Sequence, residues 1–192
     1  MSRLGRVNGR APEPARRAEV TDDTLIERVA AGDLEGLGAL YDRHAADLAR
    51  VAGRLGAGAE VEDVVHTVFL RVVELAPRFE LGRGSSARAW LAGITVRVVR
   101  ERRRSVARWL RILGTLGREP QSYASPASSA RADVLNALAT LTTAQREAVV
   151  LVDGSGLTAE EAGEALGVPV GTIWSRVHHG RAALRARLGD SR

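Results

Sequence analysis

In the stretch VPVGTIWSRVHHGRAALRARL, residues 168–188, Ser175, His178 and His179 stand at i, i+3 and i+4, with Trp174 beside them. Arg176, Arg181, Arg185 and Arg187 lie close by. On one helical face, hydroxyl and imidazole groups can hydrogen-bond base edges, while guanidinium forks can hold phosphates. Val170, Ile173, Val177 and Leu184 recur at helical spacing and predict the buried side of the same helix. A metal is a poor reading of His178 and His179. Adjacent helical residues point about 100° apart, and no Cys, Asp or Glu lies within a turn of the pair. The apolar stripe is too narrow for a membrane-surface helix. A solvated histidine pair with no role is the plain alternative.

The residues before this stretch supply a frame for it. TAEE, with Thr158 and Glu161 at capping-box spacing, opens a helix that stops at Gly167, and Pro169 suits the first turn of the next. The segments 158–166 and 169–187, joined by GVP, therefore read as a helix-turn-helix. Gly163 would let the two helices cross closely. Upstream, TTAQ (Thr142, Gln145) is another capping box, opening a helix to about Val152, and a further helix spans about 131–140.

The first half of the chain has the 3.6-residue period as well. Helices are predicted at about Asp22–Ala31, Asp33–Leu55, Glu60–Ala76 and from Ala87 to Arg104 or beyond. No alternating β-branched run is bounded by hairpin turns. The class is all-α: two small helical domains, at 21–113 and 131–192, joined by a flexible linker. That linker is GTLGREPQSYASPASSA, 114–130, which is rich in Gly, Pro and Ser.

Within the third helix, Val61, Val65, Val68 and Val72 form an inward stripe flanked by Val64 and Phe69. Asp63, His66, Thr67, Leu70 and Glu74 form an outward one. A leucine amid that polar face suggests a contact surface, with one stray exposed side chain as the plain alternative. In the fourth helix and the loop before it, Arg83, Arg88, Arg97, Arg100, Arg102, Arg103 and Arg104 are opposed only by Glu80 and Glu101. The same helix carries Trp90, Leu91, Ile94 and Val98 for the core. A basic face on a packed helix is an electrostatic footprint for DNA.

Composition narrows the function classes. Net charge is +5 and every cation is arginine, the residue that forks phosphate, although a GC-biased genome would also replace lysine. There is no cysteine, which excludes disulfides and thiolate chemistry. No apolar run approaches the ~18 residues of a membrane span. Residues 1–20 lack a signal peptide's apolar segment and read as a disordered basic tail of a cytoplasmic protein. No Gly-rich phosphate loop precedes a helix and no metal-ligand set is present, so neither catalysis nor a cofactor is expected.

LTTAQREAVVLVDGSGLTAEEAGEALGVPVGTIWSRVHHGRAALRARL resembles the C-terminal domain of the group 4, or extracytoplasmic-function (ECF), sigma factors of bacterial RNA polymerase. VEDVVHTVFLRVVE with FELGRGSSARAWLAGITVRVVRERRR resembles their N-terminal domain. The resemblance implies promoter-directed transcription initiation. Asp63, His66, Thr67, Leu70 and Glu74 would bind the core polymerase clamp. Arg83, Ser85, Arg88, Arg97, Arg100, Arg103 and Arg104 would bind and open the −10 element, with the loop FELGRGSS capturing a flipped base. Thr172, Trp174, Ser175, Arg176, His178, His179 and Arg181 would engage −35 DNA while the domain touches the polymerase flap. Within that set, Trp174, Ser175, His178 and His179 would read bases. Thr172, Arg176 and Arg181 would hold phosphate or brace the helix, Arg176 alternatively pairing with Glu160 or Glu164. An anti-sigma factor is the expected regulator. The chain departs from the family in His66 and Thr67, where Gln and Glu are usual, and in Arg97, where Asn is usual. A stand-alone helix-turn-helix regulator, a sigma-like decoy and, remotely, a small nuclease are the rival readings.

Overall fold

The computed structural model describes residues 20–79, 86–115 and 129–189. Among them eight α-helices form and no strand. The first half comprises α1 (Asp22–Ala30), α2 (Leu34–Arg54), α3 (Val61–Leu75) and the long α4 (Ala87–Thr115). The second comprises α5 (Ser129–Ala139), α6 (Thr143–Val149), α7 (Ala159–Leu166) and α8 (Val170–Gly189), with a π-helical turn at Val150–Gly154 following α6. α4 and α5 therefore run into both ends of the segment read as a linker, while residues 116–128 lie outside the described ones.

Local chemistry sets these boundaries. Thr21 caps α1, and Asp33 caps α2 by accepting from the Glu35 and Gly36 amides. Asp33 also accepts from Arg28 Nε at 2.7 Å, and that guanidinium holds its carboxyl below the usual range. Both expected capping boxes form, at Thr142–Gln145 and Thr158–Glu161. Each satisfies two backbone donors that a helix start would otherwise leave open. Gly167 ends α7 at φ 68°, a left-handed conformation that favours glycine.

The two halves share one core. Leu25, Ile26, Leu40, Val64, Val68 and Val72 fill the centre of the first half, and Leu151 and Ile173 that of the second. α4 lies between them, packed on one side by α2 and α3 and on the other by α7. From Leu91 to Val99 every residue of α4 is buried except Arg97. Contact with α7 is close at Gly93, where an added methyl would sit 2.8 Å from the Ala165 carbonyl oxygen.

Polar groups seal this seam. Arg100 on α4 forks the carboxylate of Glu147 on α6, both bonds 2.6 Å, and Glu147 is 3% exposed. The carboxylate makes the Arg100 guanidinium hold its proton more firmly, against the opposing effect of burial. Ser86 Oγ donates to Glu161 Oε1 at 2.6 Å, Arg54 donates to the Gly154 carbonyl at 2.7 Å, and Arg88 donates to the Ser155 carbonyl. The Ser86 hydroxyl, with the Thr158 amide, holds the Glu161 carboxyl below its ordinary value. Deleting Arg100 alone would strand Glu147 as a buried charge, at a cost of about 3 kcal/mol.

The seam depends on the absence of a side chain at Gly93. Gly93→Ala should loosen the docking of the two halves while leaving each half helical. Small-angle scattering should then report a larger radius of gyration with circular dichroism unchanged. An unchanged radius would show that the seam absorbs the methyl.

Candidate nucleic-acid interface

α7 and α8 form the expected helix-turn-helix. A methyl at Gly163 would meet the Val168 carbonyl oxygen at 2.9 Å, so glycine permits the tight turn. Ile173 and Val177 are buried, and Leu184 is partly so. Val170 is not part of the buried stripe: it is the first residue of α8, at the turn after α7, and is 39% exposed. Gly180 takes the next place on that side, where an added methyl would lie 2.6 Å from Val149 Cγ2. A stripe sought only among bulky residues misses it.

Burial of that side leaves Trp174, Ser175, His178 and His179 exposed. The His178 and His179 rings meet edge to face with centroids 5.5 Å apart. His179 Nδ1 lies 3.1 Å from the Ser175 carbonyl oxygen. A carbonyl only accepts, so Nδ1 carries the proton, and in the neutral ring Nε2 is left as an outward-facing acceptor. Such an acceptor matches the amino groups of adenine or cytosine in a major groove.

The arginines of this domain are placed less simply. Arg176 is half-buried and forms no ion pair among the described residues, so the alternative pairing with Glu160 or Glu164 is not made. Arg181 is exposed but forks Asp153 of the π-helical turn at 3.0 and 2.5 Å, which raises its affinity for its proton. Thr172 is half-buried, its amide donating to the Pro169 carbonyl. Asp153 was not singled out in the sequence because nothing there tells that the turn bends it back onto α8.

On α3 the outward stripe stands as its spacing predicts. Leu70 is 68% exposed, Asp63, His66 and Glu74 are exposed, and Thr67 is half-buried. The structure adds Val73 and Tyr41, both exposed. The Tyr41 ring stacks near-parallel on His66, with centroids 6.3 Å apart, and tilts onto Phe69 at 4.8 Å. Tyr41 comes from α2, which pairing along one helix could not reveal. Arg102 approaches Glu60 at 3.2 Å, Asp63 at 3.8 Å and the Thr67 hydroxyl at 3.4 Å. Glu74 pairs with Arg71 at 3.1 Å.

Of the residues read for −10 DNA, Arg83 and Ser85 lie outside the described ones. Arg97 and Arg104 are exposed on α4. Arg103 is exposed near Gly56, beside Arg146, whose guanidinium is buried and donates to the Leu138, Ala139 and Leu141 carbonyls at the end of α5. Burial, and then the charge of Arg103, make Arg146 surrender its proton more readily. Arg88 and Arg100 are engaged across the seam with Ser155 and Glu147. Trp90 packs against Phe79, ring centroids 4.8 Å apart, and belongs to the core. The seam partner Glu147 had one sequence signal, a lone acid inside the apolar run AQREAVVLV. Among the described residues no group of three or more metal-ligating side chains forms, and no helix is long and apolar enough to cross a membrane.

Comparison with known proteins agrees with this arrangement. Residues 40–109 match the family described as Sigma-70 region 2, and residues 131–184 match Sigma-70, region 4. The ECF RNA polymerase sigma factor SigC of Mycobacterium tuberculosis is 34% identical over 178 residues, covering 88% of this chain and 94% of that protein. SigL of the same species is 33% identical over 171 residues, covering 86% and 96%. The solved structure of CnrH in complex with the cytosolic domain of CnrY superposes with a TM-score of 0.70 at 28% identity, covering 89% of this chain and 99% of that one. The sigma factor RpoE in complex with the anti-sigma factor NepR from Bartonella quintana gives 0.69 at 27%, covering 81% and 98%. Both halves, in this order and over nearly their whole length, place the chain in the family of ECF sigma factors of bacterial RNA polymerase.

Proposed function

We propose that this sigma factor divides its work between two units, 21–113 and 131–192, joined through 114–130 and preceded by a tail at 1–20. The second unit reads −35 duplex through Trp174, Ser175, His178 and His179 and contacts the polymerase flap. Thr172 and Arg176 brace the helix or hold phosphate, and Arg181 does so once released from Asp153. The first unit binds the clamp through α3 and opens the −10 element through the loop and arginines around α4. The observation that carries this reading is the exposed polar face of α8, held by a buried Ile173–Val177–Gly180 side and carrying an oriented His179.

No step here needs a cofactor or a catalytic group on this chain. The sigma factor contributes binding and DNA distortion, the polymerase makes the bonds, and the site of action is the cytoplasm. A protein partner of the anti-sigma class fits as regulator. The chain superposes on the sigma factor RpoE solved with the anti-sigma factor NepR and on CnrH solved with the cytosolic domain of CnrY, and its own halves are already docked. Such a partner cannot act through a disulfide to this chain, which has no cysteine.

Run-off transcription with purified core polymerase on a genomic promoter pool is the test, and product that depends on this protein is the expected result. Leu70→Asp should abolish most of that product and weaken co-purification with core. The exposed leucine would become a desolvated charge in the clamp contact, worth about 2–4 kcal/mol. Full activity of a normally helical Leu70→Asp variant would remove α3 from clamp binding.

His179→Ala should lose discrimination at one −35 position, by about 1–3 kcal/mol between a base that offers an amino hydrogen and one that does not. A −35 substitution panel read with wild type and variant checks this. Identical rankings of the promoters would mean that His179 reads no base.

A further inference from the structure

Arg97, Arg100, Arg104, Arg108 and Arg111 follow one another on α4 at intervals of three, four, four and three residues. At 3.6 residues per turn they line a single face of the helix, over about 21 Å. That is the axial length of roughly six phosphates on one strand of duplex DNA. Arg97, Arg104, Arg108 and Arg111 are exposed. Arg108 and Arg111 lie past the −10 set, and Arg111 is also beyond the segment matching region 2. We infer that this face of α4 is one continuous track for a duplex phosphate backbone, extending past the −10 residues to Arg108 and Arg111. The inference deepens the DNA-binding reading of α4 and rests on it.

The other groups around the track agree. Glu101, at its edge, leans away to Arg71 at 3.8 Å. Among the described residues, Arg111 Nε makes a long bond, 3.4 Å, to the Ala107 carbonyl of its own helix. Val106 and Leu110 turn instead toward a groove shared with Val64 of α3, while Trp109 and Ile112 of the same stretch are exposed. One rung is occupied: the Glu147 carboxylate takes Arg100 in the two-pronged geometry a phosphate would use. Glu147 thus stands in for a phosphate, and DNA lying along the whole track must displace α6 from Arg100.

The test uses holoenzyme and a promoter fragment recovered by run-off transcription, with affinity measured against salt. Each phosphate contact contributes about 0.9 to the slope of log affinity against log salt. Arg108→Ala with Arg111→Ala should lower the slope by about 1.8, so that a fourfold rise in salt costs the double variant about twelvefold less affinity than it costs the wild type. Arg78→Ala, an equal charge removed from an exposed site off the track, should leave the slope as it is. A double variant with the wild-type slope would overturn the track, including the case in which these arginines serve an acidic protein or an anionic membrane. Wild-type holoenzyme binding the fragment would meanwhile uphold the underlying reading. In the free chain, Glu147→Gln should tighten binding to the same fragment about tenfold by releasing Arg100. An unchanged affinity in a folded Glu147→Gln variant would overturn the phosphate-mimic role.

Discussion

A buried carboxylate governs the arrangement of this molecule. Glu147 is taken out of water on α6, and Arg100 of α4 meets its carboxylate with two short bonds. Left unpaired at that depth, the Glu147 carboxylate would weigh several kcal/mol against folding, whereas Arg100 is partly exposed. The pair ties α6 to α4 in the same seam as the contact at Gly93, the hydrogen bond from Ser86 to Glu161 and the two arginines that hold the π-helical turn. α4 is accordingly buried on two sides, which is unusual for a helix so rich in arginine.

That same packing poses the functional problem. Two of the arginines suited to promoter DNA, Arg88 and Arg100, are engaged in holding the halves together. Arg181 on the recognition helix is held by Asp153, next to the carbonyls that anchor Arg54 and Arg88. The polar face of α8 proposed to read bases, in contrast, is open in this conformation. On the proposed reading, the free chain presents its groove-reading face but keeps part of its phosphate-binding charge satisfied internally. On that reading, core polymerase and DNA together supply the free energy that separates the seam.

Much of this was legible in the residues. Capping boxes, the αL glycine at 167 and the 3.6-residue period located the helices, because those signals act within a turn or two of the chain. The α3 stripe and the α8 polar face were readable for the same reason. The contacts that were not legible join residues far apart in sequence: Arg100 with Glu147, Arg181 with Asp153, Tyr41 with His66. Gly180 and Gly93 were missed because a glycine in a helix announces nothing by hydrophobicity, while its value lies in what the neighbouring backbone or side chain occupies. The linker composition suggested independent units, yet the chain on both sides of it packs into one core.

Whether the seam is the state that core and promoter must undo can be measured directly. The chain has no cysteine, so spin labels can be placed at will, for example through Glu27→Cys on α1 and Ala183→Cys on α8, both exposed. Double electron–electron resonance should give one narrow distance distribution for the free chain, replaced by a distinct longer one when core polymerase and promoter DNA are added. A broad distribution in the free chain, or the same narrow distance in the promoter complex, would contradict the account.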